Sequence, residues 1–155
     1  MKVGDDNRMI SDILKKENVQ ILDGVSSWQE AIYVSTKNLV EKGYVTKNYP
    51  KKIIELTQKY GAYYVLGPDV ALVHARPEDG VIHKQLAITL LRKPVKFEGK
   101  EDTVRLIIAL AAEDSQSHLK VLKQIAEILS DSRKLQSIIK ADDADNLYEK
   151  FVNAS

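Results

Sequence analysis

The sequence contains no cysteine, so disulfide bonds and thiolate metal sites are excluded. Its 7 glycines and 4 prolines are scattered, so the chain has neither a glycine-rich phosphate loop nor a linker between domains. The longest apolar segment, Leu106 to Ala112, is far shorter than the roughly 18 residues that a membrane-spanning helix needs. The polar N-terminus also lacks the apolar core of a signal peptide. These absences predict a soluble, cytoplasmic protein with no direct membrane insertion.

The charge is almost balanced, because 23 basic residues oppose 22 acidic ones. Proteins that bind a phosphate backbone usually have a clustered basic excess, so this balance argues against nucleic acid as the main partner. With 155 residues, of which 44% are apolar, the chain is long enough to bury a core of its own. We therefore predict a single domain over residues 1–155.

The hydrophobic pattern alternates between helices and strands. A short helix is predicted around Met9 to Leu14. A longer helix is predicted after Ser27, which forms a capping-box pattern with Glu30, and another is predicted to start near Asn48. The last third is helical, with Asp142 as the predicted cap of the final helix. Strands are predicted at residues 19–22, 62–66, 70–73, 86–90 and 104–112. This order predicts an α/β fold, a three-layer α/β/α sandwich around a small mixed sheet.

His74 is the first candidate for chemistry, because it ends the predicted strand 70–73 and precedes a loop with Arg76, Glu78 and Asp79. An imidazole with an ordinary pKa near 6.5 offers a neutral, nucleophilic form at physiological pH. The spacing alone leaves a structural or surface role open.

His118 is the second candidate, since it lies in the first turn of a predicted helix that Asp114 or Ser115 would cap. A helix N-terminus disfavours a charged imidazole, and its free backbone N–H groups favour phosphate. A solvated histidine is the alternative. His83 lies among polar residues and is predicted to be exposed, and no histidine pair has close metal-ligand spacing.

The segment from Gly67 to Pro77, GPDVALVHARP, resembles the active-histidine motif of the mannitol/fructose-type (type-2) IIA domains of the bacterial phosphotransferase system. Its continuation to Gly80 is most similar to the ascorbate-type branch. A second landmark matches as well: an apolar strand, an acidic residue (Asp114), and His118-Leu119 at the start of a helix. The resemblance extends over essentially the whole chain.

The resemblance implies a phosphocarrier that needs no metal, nucleotide or other cofactor. His74 would be the phosphorylated nucleophile, accepting the group from the phosphorylated histidine carrier protein HPr. It would pass the group to a cysteine of a cognate IIB component, and so, indirectly, toward the membrane component IIC and a sugar. His118 would stabilise the phosphoryl group, and Arg76 is a candidate binding cation.

The sequence departs from the family pattern at two places. Val73 stands where the family usually has a proline, and the stretch Gln58-Lys59-Tyr60-Gly61 stands where several relatives have an arginine and a threonine. An alternative role is regulatory: the phosphorylation state of His74 would control a transcription regulator or kinase instead of serving transport. A third alternative, favoured by Val73 in place of the proline, is a domain that has lost its activity. The identity of the sugar and the oligomeric state are left open.

Overall fold

The computed structural model describes residues 10–154, apart from the side chains at positions 11, 12, 115, 117, 118 and 120. Its centre is a five-stranded mixed sheet in the order β1-β4-β5-β3-β2. The strands are β1 (Val19–Leu22), β2 (Val65–Gly67), β3 (Asp69–Val73), β4 (Gln85–Lys96) and β5 (Thr103–Ala111). The pairs β1–β4 and β3–β5 are parallel, whereas β4–β5 and β2–β3 are antiparallel.

Strand β5 explains the long apolar run in the sequence. Successive side chains of a strand point to opposite faces, and here Leu106, Ile108 and Leu110 belong to one core while Ile107 and Ala109 belong to the other. All five are fully buried. The sheet is therefore covered on both faces at this strand, and an uninterrupted apolar segment satisfies both cores.

Helices cover each face of the sheet and form the outer layers. The helices are α1 (Ile10–Ile13), α2 (Trp28–Glu41), α3 (Asn48–Tyr60), α4 (Ser115–Leu129), α5 (Ser132–Ile139) and α6 (Ala144–Ala154). Side chains of α2 and α3 pack into one core, and side chains of α1, α4, α5 and α6 pack into the other. The predicted three-layer α/β/α arrangement with a mixed sheet is confirmed. No helix in the described part of the chain is long and apolar enough to cross a membrane.

The helix ends follow the predicted chemistry with two corrections. Ser27 caps α2, since its hydroxyl accepts from the Glu30 N–H at 3.1 Å, but the Glu30 carboxylate accepts from the N–H of Ser26 at 2.6 Å and does not return to Ser27. The cap of α6 is Asp143, whose carboxylate accepts from the Asn146 N–H at 2.8 Å. The prediction of Asp142 was wrong by one residue; its N–H instead donates to the Asn146 side chain.

Strand β4 is longer than the alternating pattern predicted. It continues through Arg92, Lys93 and Pro94, all exposed, to Lys96. The pairing with β5 shifts register between Leu90 and Val95, and Pro94 lies in this irregular stretch, where a missing ladder donor is tolerated. Met9, which the sequence places in the first helix, lies outside the described residues.

Candidate active site

The two candidate histidines follow neighbouring strands of the sheet. His74 comes directly after β3, and helix α4, which contains His118 in its first turn, comes shortly after β5. Since β3 and β5 are parallel partners, with Val73 opposite Ala109, their carboxyl ends lie at the same edge of the sheet. The topology therefore brings both segments to one edge. The side chain of His118 lies outside the described residues, so its proximity to the His74 ring stays a prediction.

The His74 ring is half-buried and held by its own strand. Its Nδ1 lies 2.7 Å from the carbonyl oxygen of Leu72. A carbonyl can only accept, so in this contact Nδ1 carries the proton, and the lone pair of the neutral ring is on Nε2. Burial lowers the pKa of His74, and the bond to Leu72 opposes this only in part. The ring is therefore neutral at physiological pH and presents Nε2 as its nucleophilic atom.

Two tyrosines hold the backbone beside this ring. The Tyr63 hydroxyl donates to the carbonyl oxygen of His74 at 2.6 Å, and its ring meets the imidazole edge-on, with centroids 5.5 Å apart. The Tyr49 hydroxyl accepts from the N–H of Ala75 at 3.0 Å. Both polar atoms of the His74–Ala75 peptide group are thus hydrogen-bonded to tyrosine hydroxyls, and the position after the nucleophile is tightly defined.

A cavity of about 610 Å³ opens beside His74, between helix α3 and the loop that follows β3. Its charged lining consists of the basic side chains Lys52, Lys59 and Arg76 and the acidic Glu55. The remaining lining is aromatic or apolar, with Leu56, Tyr60, Tyr63, Ala75 and Pro77. A space with this excess of basic groups next to a neutral imidazole suits an anionic group.

Arg76 has acidic neighbours of its own in the loop. Its Nε and Nη2 donate to the two carboxylate oxygens of Asp79 at 3.2 and 3.3 Å, and Nε lies 3.7 Å from Glu78. Burial acts to raise the pKa of Asp79, but the hydrogen bonds from Arg76 outweigh it and lower that pKa. Arg76 thus lines the cavity, as its candidate role requires, while its guanidinium also stabilises the loop.

Sequence reasoning missed much of this site. Lys52 and Lys59 are seven residues apart on α3, so they share one helix face, and that i, i+7 spacing was the available signal. The Gln58–Gly61 stretch departs from the family pattern, yet it supplies Lys59 and Tyr60 to the cavity. Nothing local in the sequence pointed to Tyr49, whose partners are 26 and 61 residues away.

The remaining predictions about site residues have simple outcomes. His83 is exposed, as predicted, and its Nδ1 lies 3.9 Å from the Glu113 carboxylate. Val73, which replaces the family proline, lies in β3 with its side chain fully buried in the α2–α3 core. Among the residues that the structure describes, no three metal-ligating side chains come together.

The fold and the site together define an α/β protein with an oriented, neutral histidine beside a cavity rich in basic groups. Residues 12–154 match the model of the family described as "Phosphoenolpyruvate-dependent sugar phosphotransferase system, EIIA 2". The chain belongs to this family: it is a type-2 IIA component of a sugar phosphotransferase system, as the sequence resemblance predicted.

Individual relatives agree with this assignment. The chain is 34% identical to the mannitol-specific cryptic phosphotransferase enzyme IIA component of Escherichia coli over 85% of this chain and 90% of that protein. The solution structure of that enzyme IIA matches with a TM-score of 0.89, 32% identity, and coverage of 94% of this chain and 99% of that one. The ascorbate-specific EIIA component of Shigella flexneri is 28% identical over 81% of this chain and 83% of its own.

A more distant structure shares the fold. It is the E. coli mannitol enzyme IIA, solved in a complex with phosphorylated enzyme IIB. It is 22% identical to this chain and has a TM-score of 0.73, with 86% of this chain and 94% of that one covered.

Proposed function

We propose that this protein is the cytoplasmic IIA phosphocarrier of a sugar phosphotransferase system, with His74 as its phosphorylated residue. The observation that supports this most directly is the orientation of the His74 ring. Its Nδ1–H is engaged by the Leu72 carbonyl at 2.7 Å, so the lone pair is on Nε2. Burial keeps the ring neutral by lowering its pKa, and the adjoining cavity is lined by more basic than acidic groups.

The proposed transfer balances as a simple displacement. The Nε2 lone pair of His74 attacks the phosphorus of phospho-HPr, a bond forms between Nε2 and phosphorus, and the bond to the donor histidine breaks. The donor leaves with the electron pair of that bond. A cysteine thiolate of a IIB component then attacks the same phosphorus, and His74 returns to its neutral state. Such transfers depend mainly on positioning and charge stabilisation, so neither step requires a metal or a cofactor.

The basic groups have a defined task in this proposal. Charge develops on the phosphoryl oxygens during transfer, and fixed cations stabilise it. Lys52 and Lys59 from α3, together with Arg76 from the loop, approach the cavity from two sides. Lys52 also pairs with Glu55 at 3.3 Å, and Arg76 with Asp79, so both side chains are already oriented before the phosphoryl group arrives.

His118 is proposed as a second phosphoryl ligand. Its helix α4 follows β5, and β5 lies beside β3. The first turn of a helix has unpaired backbone N–H groups and the positive end of the helix dipole. A neutral imidazole there can donate one hydrogen bond to a phosphoryl oxygen without a competing charge.

The partners follow from the two steps: phospho-HPr as donor and a IIB component as acceptor, with the membrane component IIC only indirectly involved. The complex of E. coli mannitol IIA with phosphorylated IIB supports a IIB acceptor. We further propose that residues 1–155 act as one IIA domain. The substrate class is a sugar or sugar-derived acid. Ascorbate is one candidate, supported by the ascorbate-type loop and by relatives specific for ascorbate at 28% identity.

The test is reconstitution with phosphoenolpyruvate, enzyme I and HPr, followed by detection of an acid-labile phosphate on this protein. We expect the wild type to be labelled and His74→Ala to lose labelling completely while it retains a cooperative thermal transition. His83→Ala is the matched control, because His83 is exposed and separate from the cavity, and it should be labelled fully. Labelling of His74→Ala to the wild-type level would refute the proposal.

A second experiment separates transport from the regulatory alternative. Phosphorylated wild-type protein is mixed with IIB proteins of the mannitol and ascorbate type, and the phosphate on the IIB cysteine is followed. Rapid, complete transfer to one of them supports the transport role. Labelling of His74 with no transfer to either IIB protein would favour the regulatory role.

A further inference from the structure

The peptide group between His74 and Ala75 is bonded on both sides by side chains from elsewhere in the fold. Its carbonyl oxygen accepts from the Tyr63 hydroxyl at 2.6 Å, and its N–H donates to the Tyr49 hydroxyl at 3.0 Å. Tyr63 precedes β2, and Tyr49 lies in the first turn of α3. Main-chain groups of an irregular segment find their partners in other main-chain groups, in side chains or in water. Two tyrosines on one peptide group are a specific arrangement that calls for an explanation.

Tyr49 also connects this peptide to the neighbouring strand. Its hydroxyl has one proton, and the nearest acceptor is the carbonyl oxygen of Leu110 at 2.7 Å; the carbonyl of Ala75, at 3.4 Å, is much farther. The hydroxyl therefore accepts from Ala75 and donates to Leu110. Leu110 lies in β5 just before the connection to α4, which contains His118. The buried Tyr49 hydroxyl therefore links the residue that follows His74 to the strand that precedes the His118 helix.

The two hydroxyls add no charge to the site. Tyr49 is fully buried, and burial raises its pKa far above the ordinary value. Tyr63 is 40% exposed, and burial together with the nearby Asp79 raises its pKa to about 12. Both side chains are neutral at physiological pH, so they orient the backbone without competing electrostatically with the basic groups for an anion.

We infer that Tyr49 and Tyr63 form a tyrosine clamp that positions His74 for phosphoryl transfer, an inference that rests on the function proposed above. They are positioning residues, since they act through the His74–Ala75 peptide. The clamp restricts rotation of this peptide and so defines the direction in which the imidazole leaves the backbone. In this orientation the Nδ1–H of His74 already reaches the Leu72 carbonyl oxygen. Nε2 therefore faces the phosphoryl donor without any rotation of the ring when the donor binds.

The experiment compares Tyr49→Phe, Tyr63→Phe and the double variant with wild type. Tyr33→Phe is the matched control, because Tyr33 is an exposed tyrosine of α2 that does not line the cavity. Two readouts are needed: the rate of phosphorylation by phospho-HPr, and the ring-nitrogen NMR shifts of unphosphorylated His74, which report the tautomer. Each clamp variant should slow phosphorylation roughly threefold to tenfold, the effect of one hydrogen bond on a barrier.

In the same variants the His74 nitrogen shifts should move from the Nδ1-protonated tautomer toward a mixture, and Tyr33→Phe should match wild type in both readouts. Wild-type rate and shifts in Tyr63→Phe would overturn the clamp, even if Tyr49→Phe fails to fold because its buried partners are left unpaired. A lower melting temperature with unchanged rate and shifts would also overturn it. The NMR readout needs no phosphate, so failure of wild type to be labelled would count against the proposed function and leave the clamp testable.

Discussion

The two ends of strand β3 are stabilised in opposite ways. At its carboxyl end, neutral tyrosine hydroxyls bond the His74–Ala75 peptide. At its amino end, Asp69 takes a left-handed backbone conformation with φ 72° and pairs with Arg105 at 3.0 Å. Gly67, two residues earlier, has φ 138°, which a residue without a side chain adopts at little cost.

The difference reflects what each end is required to do. At the amino end the Asp69–Arg105 ion pair stabilises an unfavourable backbone conformation, and each charge is neutralised by the other. At the carboxyl end the backbone is stabilised without charge, and basic side chains line the cavity beside it. An anion suits the second arrangement better than the first, because three basic side chains and only one acidic side chain line the cavity, whereas at the amino end one cation faces one carboxylate. The comparison predicts which end controls transfer and which controls stability.

The largest effect is expected where α4 begins beside the carboxyl end. His118→Ala should fold normally and accept phosphate on His74, but pass it to IIB roughly tenfold to a hundredfold more slowly. The reason is the loss of one charge-assisted hydrogen bond, about 1.5–3 kcal/mol. Rapid-quench measurement of transfer from phosphorylated protein to IIB checks this. Gln116→Ala, an exposed change in the same turn, is the control; equal rates for both variants would exclude a role for His118.

Arg76→Glu should have the next largest effect on transfer. It reverses an exposed charge at the cavity, so the rate of association with both partners should fall several-fold. The transfer rate of the wild type should also decrease more steeply with increasing salt concentration than that of the variant. The melting temperature should fall as well, since the new carboxylate lies beside Glu78 and beside Asp79, whose side chain is only 7% exposed, so the rates are compared at a temperature at which both proteins are folded. Lys93→Glu, an exposed change away from the cavity, is the control. Unchanged rates in both transfer steps would show that Arg76 neither binds phosphate nor contacts a partner.

Asp69→Ala tests the amino end, where stability and not transfer should change. Alanine loses the pair with Arg105 and tolerates the left-handed conformation poorly, at a cost of about 1–2 kcal/mol. At roughly 2–4 °C per kcal/mol for a chain of this size, melting should occur several degrees lower. Asp69→Gly restores the backbone freedom and should recover the conformational part of the loss, but not the part that comes from the pair with Arg105. A slower phosphorylation rate in folded Asp69→Ala would contradict the division between the two ends.

The smallest effect is a pH dependence of stability caused by His74. Burial lowers the pKa of the folded His74, whereas the ring of the unfolded chain takes up a proton near pH 6.5. Between these two values the unfolded state binds more protons, so stability falls as the pH decreases from about 6.5 to the folded pKa. Below the folded pKa the loss is complete and constant.

Urea unfolding at pH 7.5 and pH 5.5 measures this effect as the difference in unfolding free energy between the two conditions. His74→Ala should show a smaller difference than wild type, because carboxylates contribute equally to both proteins. His83→Ala, whose ring is exposed, should behave as wild type. An identical pH dependence in wild type and His74→Ala would contradict the buried, neutral state of the ring.

Local patterns in the sequence were sufficient for most individual elements. Strand β1 has the predicted bounds, and β5 differs from its prediction by one residue at each end. Such elements can be predicted because their signals, a hydrophobic period of two or 3.6 residues and a capping side chain, involve only residues close in the sequence. The extension of β4 through Arg92 to Lys96 was missed because exposed charged residues and a proline are typical of loops, whereas pairing with β5 made them a strand.

The position of His74 at the end of an apolar strand was likewise apparent from the sequence alone, but its selection as the candidate nucleophile depended on the resemblance of the surrounding segment to type-2 IIA domains. The order of the strands was decided by tertiary structure. That order places β3 beside β5, brings Lys52 and Lys59 of α3 to the cavity, and aligns two tyrosines with one peptide group. Tyr49 contacts Ala75 and Leu110, 26 and 61 residues away, and no local pattern records such a contact. The physical reason is that a residue's own propensity acts over a few neighbours, whereas the partner of a buried hydroxyl depends on how the whole sheet is assembled.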